Sequence, residues 1–154
     1  MKRQKRGINY MVLILSVIII AGVSTMIFLL TSPEHQAKKA VDTFYAYEQE
    51  GAFSESYTMF HPYMKEKFDK GHYLQDRAHV FLNHFDVETF SYSLGDASKV
   101  TNWKMEENTE SIGTVYHIPV SQVFKGKYGN FTIVQDVYAA KEGGEWTILW
   151  DYKK

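Results

Sequence analysis

The stretch Tyr10–Leu30 constrains this chain more than any other. It reads YMVLILSVIIIAGVSTMIFLL, and no charge occurs between Arg6 and Glu34. As a helix it would be about 31 Å long at about 1.5 Å per residue, matching a hydrocarbon core of about 30 Å. A helix satisfies its own backbone hydrogen bonds, as a lipid environment demands. The stretch is too long for the apolar region of a cleaved leader, no small-x-small site follows it, and no cysteine is present to carry a lipid. The expected layout is a basic tail over 1–9, a signal-anchor span over 10–30 bounded by Tyr10 and Leu30, a short linker or helix start over 31–36, and one domain over 37–154. The lipid bilayer is thus the first expected partner.

Lys2, Arg3, Lys5 and Arg6 precede the span, and Thr31, Ser32, Pro33 and Glu34 follow it. Positive charge is retained on the cytoplasmic side. The expected topology is single-pass in the cell membrane, with the N-terminus cytoplasmic and the domain extracytoplasmic. Four of the 17 Lys and Arg lie before the span, so 13 face 18 Asp and Glu beyond it, a formal charge of −5. An acidic domain argues against a nucleic-acid partner. A domain outside the cytoplasm without disulfides suits a bacterial envelope.

Beyond the span the apolar pattern changes twice. Ser32 and Pro33 are a cap and first position for a helix carrying Ala37, Ala40, Val41, Phe44 and Tyr47 or Glu48 on one face, ended by Gly51. Phe53, Tyr57 and Phe60 give a second helical stripe closed by His61 and Pro62. Gly71 breaks the chain again, and Leu74, Ala78, Phe81 and Phe85 give a third. From Val87 the period is two. Phe90, Tyr92 and Leu94 alternate with polar residues, as do Trp103 and Met105, and the clearest strands are 114–124, 131–139 and 146–152. Gly143 and Gly144 between alternating runs signal a two-residue hairpin.

The turns predict a register. Glu142 opposite Glu145 sets Val137 against Trp150 and Ala139 against Ile148. Phe124 opposite Phe131 sets Ile118 against Val137 and Tyr116 against Ala139. Both estimates place Tyr116, Ile118, Val120, Ile133, Val137, Ala139, Ile148, Trp150 and Tyr152 on one face, an agreement that a slip of one residue would destroy. The expected fold class is α+β, a membrane helix followed by three helices packed on a curved antiparallel sheet.

The opening helix AKKAVDTFYAYEQEG, then AFSESYTMFHP, a further short helix and the long-stranded sheet carry a likeness. Over about residues 33–154 the chain resembles the nuclear-transport-factor-2-like, or cystatin-like cone, superfamily. Small Gram-positive envelope proteins with one span look similar, as do the domains preceding the transpeptidase module of some penicillin-binding proteins. The resemblance implies a cone between helices and sheet. It is compatible with three functions: a non-catalytic binding or assembly module, a small-ligand binder or acid/base enzyme using the cone, and a subunit of a conjugation or type IV secretion complex. Fold alone does not choose among them.

Few residues point to chemistry. In the predicted register the inward positions of the last three strands are apolar or aromatic, except Gln122 and Gln135. Tyr45, Tyr57, Tyr73, Tyr116 and Trp150 are candidates to line a pocket for an apolar small ligand, with a packed aromatic core as the simpler expectation. On the opposite face His117 would lie across from Tyr138, and Asp136 would face Asp151; two such carboxylates shift each other's proton affinity and suit acid/base work. The simpler expectation there is a solvated face. His72, Asp76 and His79 have helical spacing that suits a metal, but they lie opposite Leu74 and Ala78 and should face solvent. His61, His35 and His84 are expected at the surface or as caps. The basic segment 125–129 with Tyr128 reads as a hairpin tip. No phosphate loop, nucleophile elbow, zinc-protease or dinucleotide motif occurs, and no cofactor is expected. An envelope protein or a second copy of the chain is the expected protein partner.

Overall fold

A computed structural model describes residues 10–79, 89–126 and 129–153. Its contacts divide the chain into two units, Met1–Ser32 and Pro33–Lys154.

The first unit is helix α1, Tyr10–Leu30, long and apolar enough to cross a membrane. None of its residues is buried. Two of its hydroxyls bond back onto the helix: Ser16 Oγ donates to Leu13 O at 2.8 Å and Thr25 Oγ1 to Ala21 O at 2.9 Å. That is how an apolar medium tolerates Ser and Thr.

The second unit is α+β. Helix α2, Pro33–Glu50, begins at the predicted proline and buries Ala37, Val41, Phe44, Tyr45 and Glu48. Gly51, at φ 74, ends it in the left-handed conformation glycine favours. The expected second helix is present but shorter, and an unforeseen helix follows the His61 and Pro62 that were expected to close it. α3, Phe53–Thr58, stops before Phe60, and α4, Pro62–Lys67, starts at Pro62, which is suited to a first helical position. His61 Nδ1 accepts the Tyr63 N–H at 3.2 Å and caps α4. Gly71 is not a break either. It lies in the first turn of α5, Lys70–His79, where Asp69 Oδ1 accepts the N–H groups of Gly71 and His72 at 2.9 and 3.2 Å. The side chain of α5 that enters the core is Tyr73, with Leu74 half-buried, so the buried face is turned from the predicted one. Phe81, Asn83, His84 and Phe85 lie outside the described residues.

The sheet consists of β1, Phe90–Leu94; β2, Ser98–Trp103; β3, Ile112–Gly126; β4, Gly129–Glu142; and β5, Glu145–Trp150. The order is β1-β3-β4-β5, with β2 also pairing β3, all antiparallel. The predicted register holds for Phe124 with Phe131, Ile118 with Val137, Tyr116 with Ala139, His117 with Tyr138, Val137 with Trp150 and Ala139 with Ile148. Gly143 and Gly144, at φ 60 and 92, make the hairpin that sets it. The basic tip is shorter than expected. Lys125, Gly126, Gly129 and Asn130 belong to the strands, and Lys127 and Tyr128 lie outside the described residues.

Tyr116, Ile118, Val120, Val137, Ala139 and Ile148 are buried as predicted, but Ile133 is 44 % exposed. It sits where β4 has run past the end of β5, which pairs only residues 137–142. The opposite face is not simply solvated. Val115, Ala140 and Leu149 are fully buried there, together with Trp103 and Met105. Asn102 explains part of this. At φ 52 it is the one described non-glycine residue with left-handed backbone. It reverses the strand alternation, and Trp103 lands against Tyr138, ring centroids 4.4 Å apart.

Candidate functional site

Between the helices and the sheet the space is filled by rings. Phe44 contacts Tyr45, Phe60 and Trp150 at centroid distances of 5.3, 5.2 and 6.3 Å, and Phe60 contacts Tyr73 and Trp150 at 5.1 Å each. Tyr45 is buried and donates its hydroxyl to Gln135 Oε1 at 2.9 Å. Burial holds that hydroxyl well above the ordinary tyrosine range, so it acts as a neutral donor. Tyr57 is half-buried and donates to Phe68 O at 2.8 Å. Of the residues expected to line a pocket, Tyr45, Tyr57 and Trp150 are thus part of the packing.

Tyr116 is different. It lies on a surface cleft of about 600 Å³ formed where the start of α2 meets the start of β3 and the β4–β5 hairpin. The hairpin sets Lys141 opposite Trp146, with the ammonium 5.5 Å from the indole centroid. The Trp146 Nε1–H donates to Gln36 Oε1 at 3.1 Å, and the Tyr116 ring meets the indole edge-on at 5.6 Å. Tyr63 and Glu142 complete the wall. Desolvation, with the Glu34 carboxylate adding, raises the Tyr116 hydroxyl above its ordinary range. Behind this wall His61 is buried, with Nε2 3.7 Å from Glu142 Oε2 and its ring 4.8 Å from that of Tyr63. Burial lowers the His61 pKa, with Lys65 adding and Glu142 and Glu66 opposing. The cleft therefore offers aromatic surface, an amide, a cation and a carboxylate on one wall, which suits recognition of a ligand with both apolar and polar groups.

The outer-face candidates assemble differently from expectation. Asp136 does not face Asp151, because β5 ends at Trp150 and Asp151 accepts the Lys153 N–H at 2.9 Å. Asp136 pairs with His117 instead, Oδ1 to Nε2 at 2.7 Å, and the His117 ring lies 5.1 Å from Tyr138. No carboxylate couple forms there. His72, Asp76 and His79 are exposed, His72 lies 3.9 Å from Asp69, and no group of three metal-binding side chains comes together among the described residues.

The composition of the interior differs most from expectation at Glu48, only 2 % exposed. Its Oε1 accepts the hydroxyls of Ser56 and Tyr73 at 2.5 and 2.6 Å, and its Oε2 is ion-paired with Arg77. The interior is aromatic but not free of titratable groups. Glu48 lies in register with Val41, Phe44 and Tyr45 on the buried stripe of α2, and Arg77 lies one turn after Tyr73. Those two spacings are the signal that reading the apolar residues alone passes over. The carboxylate oxygens are committed to these three partners, which tie α2, α3 and α5 together. Compared with known proteins, the chain matches no family model and no curated sequence.

Proposed function

We propose that this chain is a membrane-anchored binding or assembly module of the bacterial envelope, of nuclear-transport-factor-2-like fold, with its domain outside the cytoplasm. Its docking site is the cleft walled by Gln36, Tyr116, Lys141 and Trp146. The observation that carries this reading is the contrast between the two apolar regions of the domain. Aromatic contacts fill the interior, whereas the cleft presents the half-buried Tyr63 and Trp146, backed by the buried Tyr116, beside polar groups at the surface. Anchoring confines the module to two dimensions and raises its effective concentration toward other membrane proteins. The acid/base reading has weaker support, because the one buried carboxylate among the described residues, Glu48, is ion-paired with Arg77.

The test is site-specific photocrosslinking of the full chain in native membranes. A photoreactive residue at Lys141 should give an adduct of one defined mass, and Thr114→Arg, which crowds the cleft from an exposed strand position, should abolish it. The same residue at exposed Asp96 should give none. Equal labelling at Lys141 and Asp96, or an adduct that Thr114→Arg leaves intact, defeats the reading.

A further inference from the structure

Strand β4 has two halves. Residues 137–140 pair with β3 on one side and β5 on the other, and 141 and 142 with β5, whereas among the described strands 129–136 pair with β3 alone. No other described strand lies against that second edge. An unpaired edge presents a row of N–H and C=O groups to any extended chain that meets it.

The fold covers the corresponding edge of β5. There the Ile148 N–H donates to Met59 O at 2.9 Å and the His61 N–H to Ile148 O at 3.0 Å, so the turn between α3 and α4 blocks further pairing. On β4 the opposite holds. Ile133 is 44 % exposed and Val134 67 %, and among the described residues beyond α1 they are the large apolar side chains left in solvent. As neighbours on one strand they point to opposite faces. A strand added to this edge would cover both.

Residues 129–135 read GNFTIVQ, with no charge and no proline. Lys, Pro and inward charges are the usual protections of an edge, and this segment has none of them. Its neutrality also selects the partner. The domain carries a formal charge of −5, so two copies repel except where a contact is uncharged. In a two-fold antiparallel pair centred on Ile133, Thr132 meets Val134, Phe131 meets Gln135 and Asn130 meets Asp136. No two carboxylates oppose each other, and each copy supplies the apolar cover the other needs.

We propose that two copies of this chain associate through residues 129–136 of β4, continuing the sheet from one domain into the next. A single strand pair is small beside the roughly 1,600 Å² of a standard interface. Membrane tethering raises the effective concentration that such a contact needs. The pairing does not involve the cleft of the preceding section and draws on the anchored reading only for concentration.

The absence of cysteine makes the test direct. Single cysteines placed in turn at positions 130 to 136 of the full chain are oxidised in proteoliposomes and, separately, in detergent. Residues opposed in an antiparallel pair have Cα atoms about 4.5–5.5 Å apart, within disulfide reach, and each step from the axis separates the two equivalent positions by about 6.8 Å more. Disulfide dimers should therefore peak at one position, or at two adjacent ones, and fall steeply on either side. The peak should persist with Thr114→Arg in the cleft. Thr132→Lys and Val134→Lys, both at exposed positions, should each lower the dimer fraction about tenfold, as expected from lost apolar cover in two copies. Three outcomes overturn the proposal: a flat profile, yields no higher than for Asp96→Cys, or dimers indifferent to both lysines. Dimers in proteoliposomes that vanish in detergent support it and show that the tether supplies the concentration.

Discussion

Arg77 on α5 is ion-paired with Glu48 on α2 inside the domain, and Tyr73 donates to the same carboxylate at 2.6 Å. Removing one partner of a buried pair leaves the other charge uncompensated, whereas replacing both is close to neutral. The Arg77 side chain is 23 % exposed, so solvent softens the effect. Arg77→Met should destabilise the domain by about 3 kcal/mol, at the low end for such a pair. The double variant Glu48→Met with Arg77→Met should recover most of that. Urea denaturation of the full chain in a mild detergent, followed by tryptophan fluorescence, measures both; additive losses would show that the two side chains do not act as a pair.

Tyr73→Phe probes the same cluster without altering charge. It removes one of two hydroxyl donors to Glu48 Oε1 and leaves Ser56 in place. A hydrogen bond to a charged group contributes about 1.5–3 kcal/mol, and the variant should lose an amount in that range. A loss below about 0.5 kcal/mol, the level of an ordinary surface change, would refute the bond.

His61 gives the domain a pH dependence of definite sign. Its folded pKa lies below the ordinary value of 6.5, chiefly because burial disfavours the imidazolium. Its Nδ1 must also stay unprotonated to accept the Tyr63 N–H. Between the folded pKa and 6.5 the unfolded chain binds more protons, so stability rises with pH through that window and levels off above it. Lowering the pH from 7.5 toward 5.5 should reduce the urea midpoint. His61→Asn, which keeps a cap acceptor, should flatten that slope relative to the parent. An unchanged slope would assign the dependence to other groups.

The strand register was legible because two turns set it independently and agreed. Alternation over Tyr116 to Phe124 and over Val137 to Trp150 then left one choice of inner face. Where the reading went astray, a single residue decided the outcome. Asn102 turns Trp103 onto the outer face, and no periodicity shows a left-handed residue in advance. Asp151 was expected opposite Asp136, but the Tyr152 N–H donates to Met105 O at 3.0 Å, outside the ladder, and the strand ends at Trp150, two residues earlier than expected. Helical spacing left Tyr47 or Glu48 to close the apolar face of α2, and the choice fell to Glu48 because its partner Arg77 lies on α5, whose buried face apolar counting placed wrongly. The cleft joins five separate elements, so of its walls only Tyr116 could be singled out from spacing.

Asn102 supplies a test of that reversal. A non-glycine residue at φ 52 bears a steric penalty that glycine escapes. Asn102 is exposed, so the substitution itself opens no cavity. Asn102→Gly should leave stability unchanged or raise it by up to about 1 kcal/mol, and Asn102→Val should lower it by at least that much. Both should keep Trp103 on Tyr138, with loss of the near-ultraviolet circular dichroism of that pair as the opposing result.

The basic residues before α1 make orientation a testable consequence of charge. Lys2, Arg3, Lys5 and Arg6 precede the span, and no Lys or Arg follows it until Lys38. On the proposed topology, retention of positive charge in the cytoplasm would put the unit Pro33–Lys154 outside. Exposed Lys104, between β2 and β3, gives trypsin a site on the domain. Trypsin should digest the domain in intact protoplasts and spare it in inverted vesicles. Replacing the four basic residues by Gln while adding three Lys after Leu30 should reverse the pattern in part of the population, since charge bias rather than the domain sets the direction for a short apolar anchor. Protection in protoplasts and digestion in inverted vesicles by the parent chain would place the domain in the cytoplasm. Release of a fragment beginning after Leu30 into the medium would show that α1 is a cleaved leader rather than an anchor.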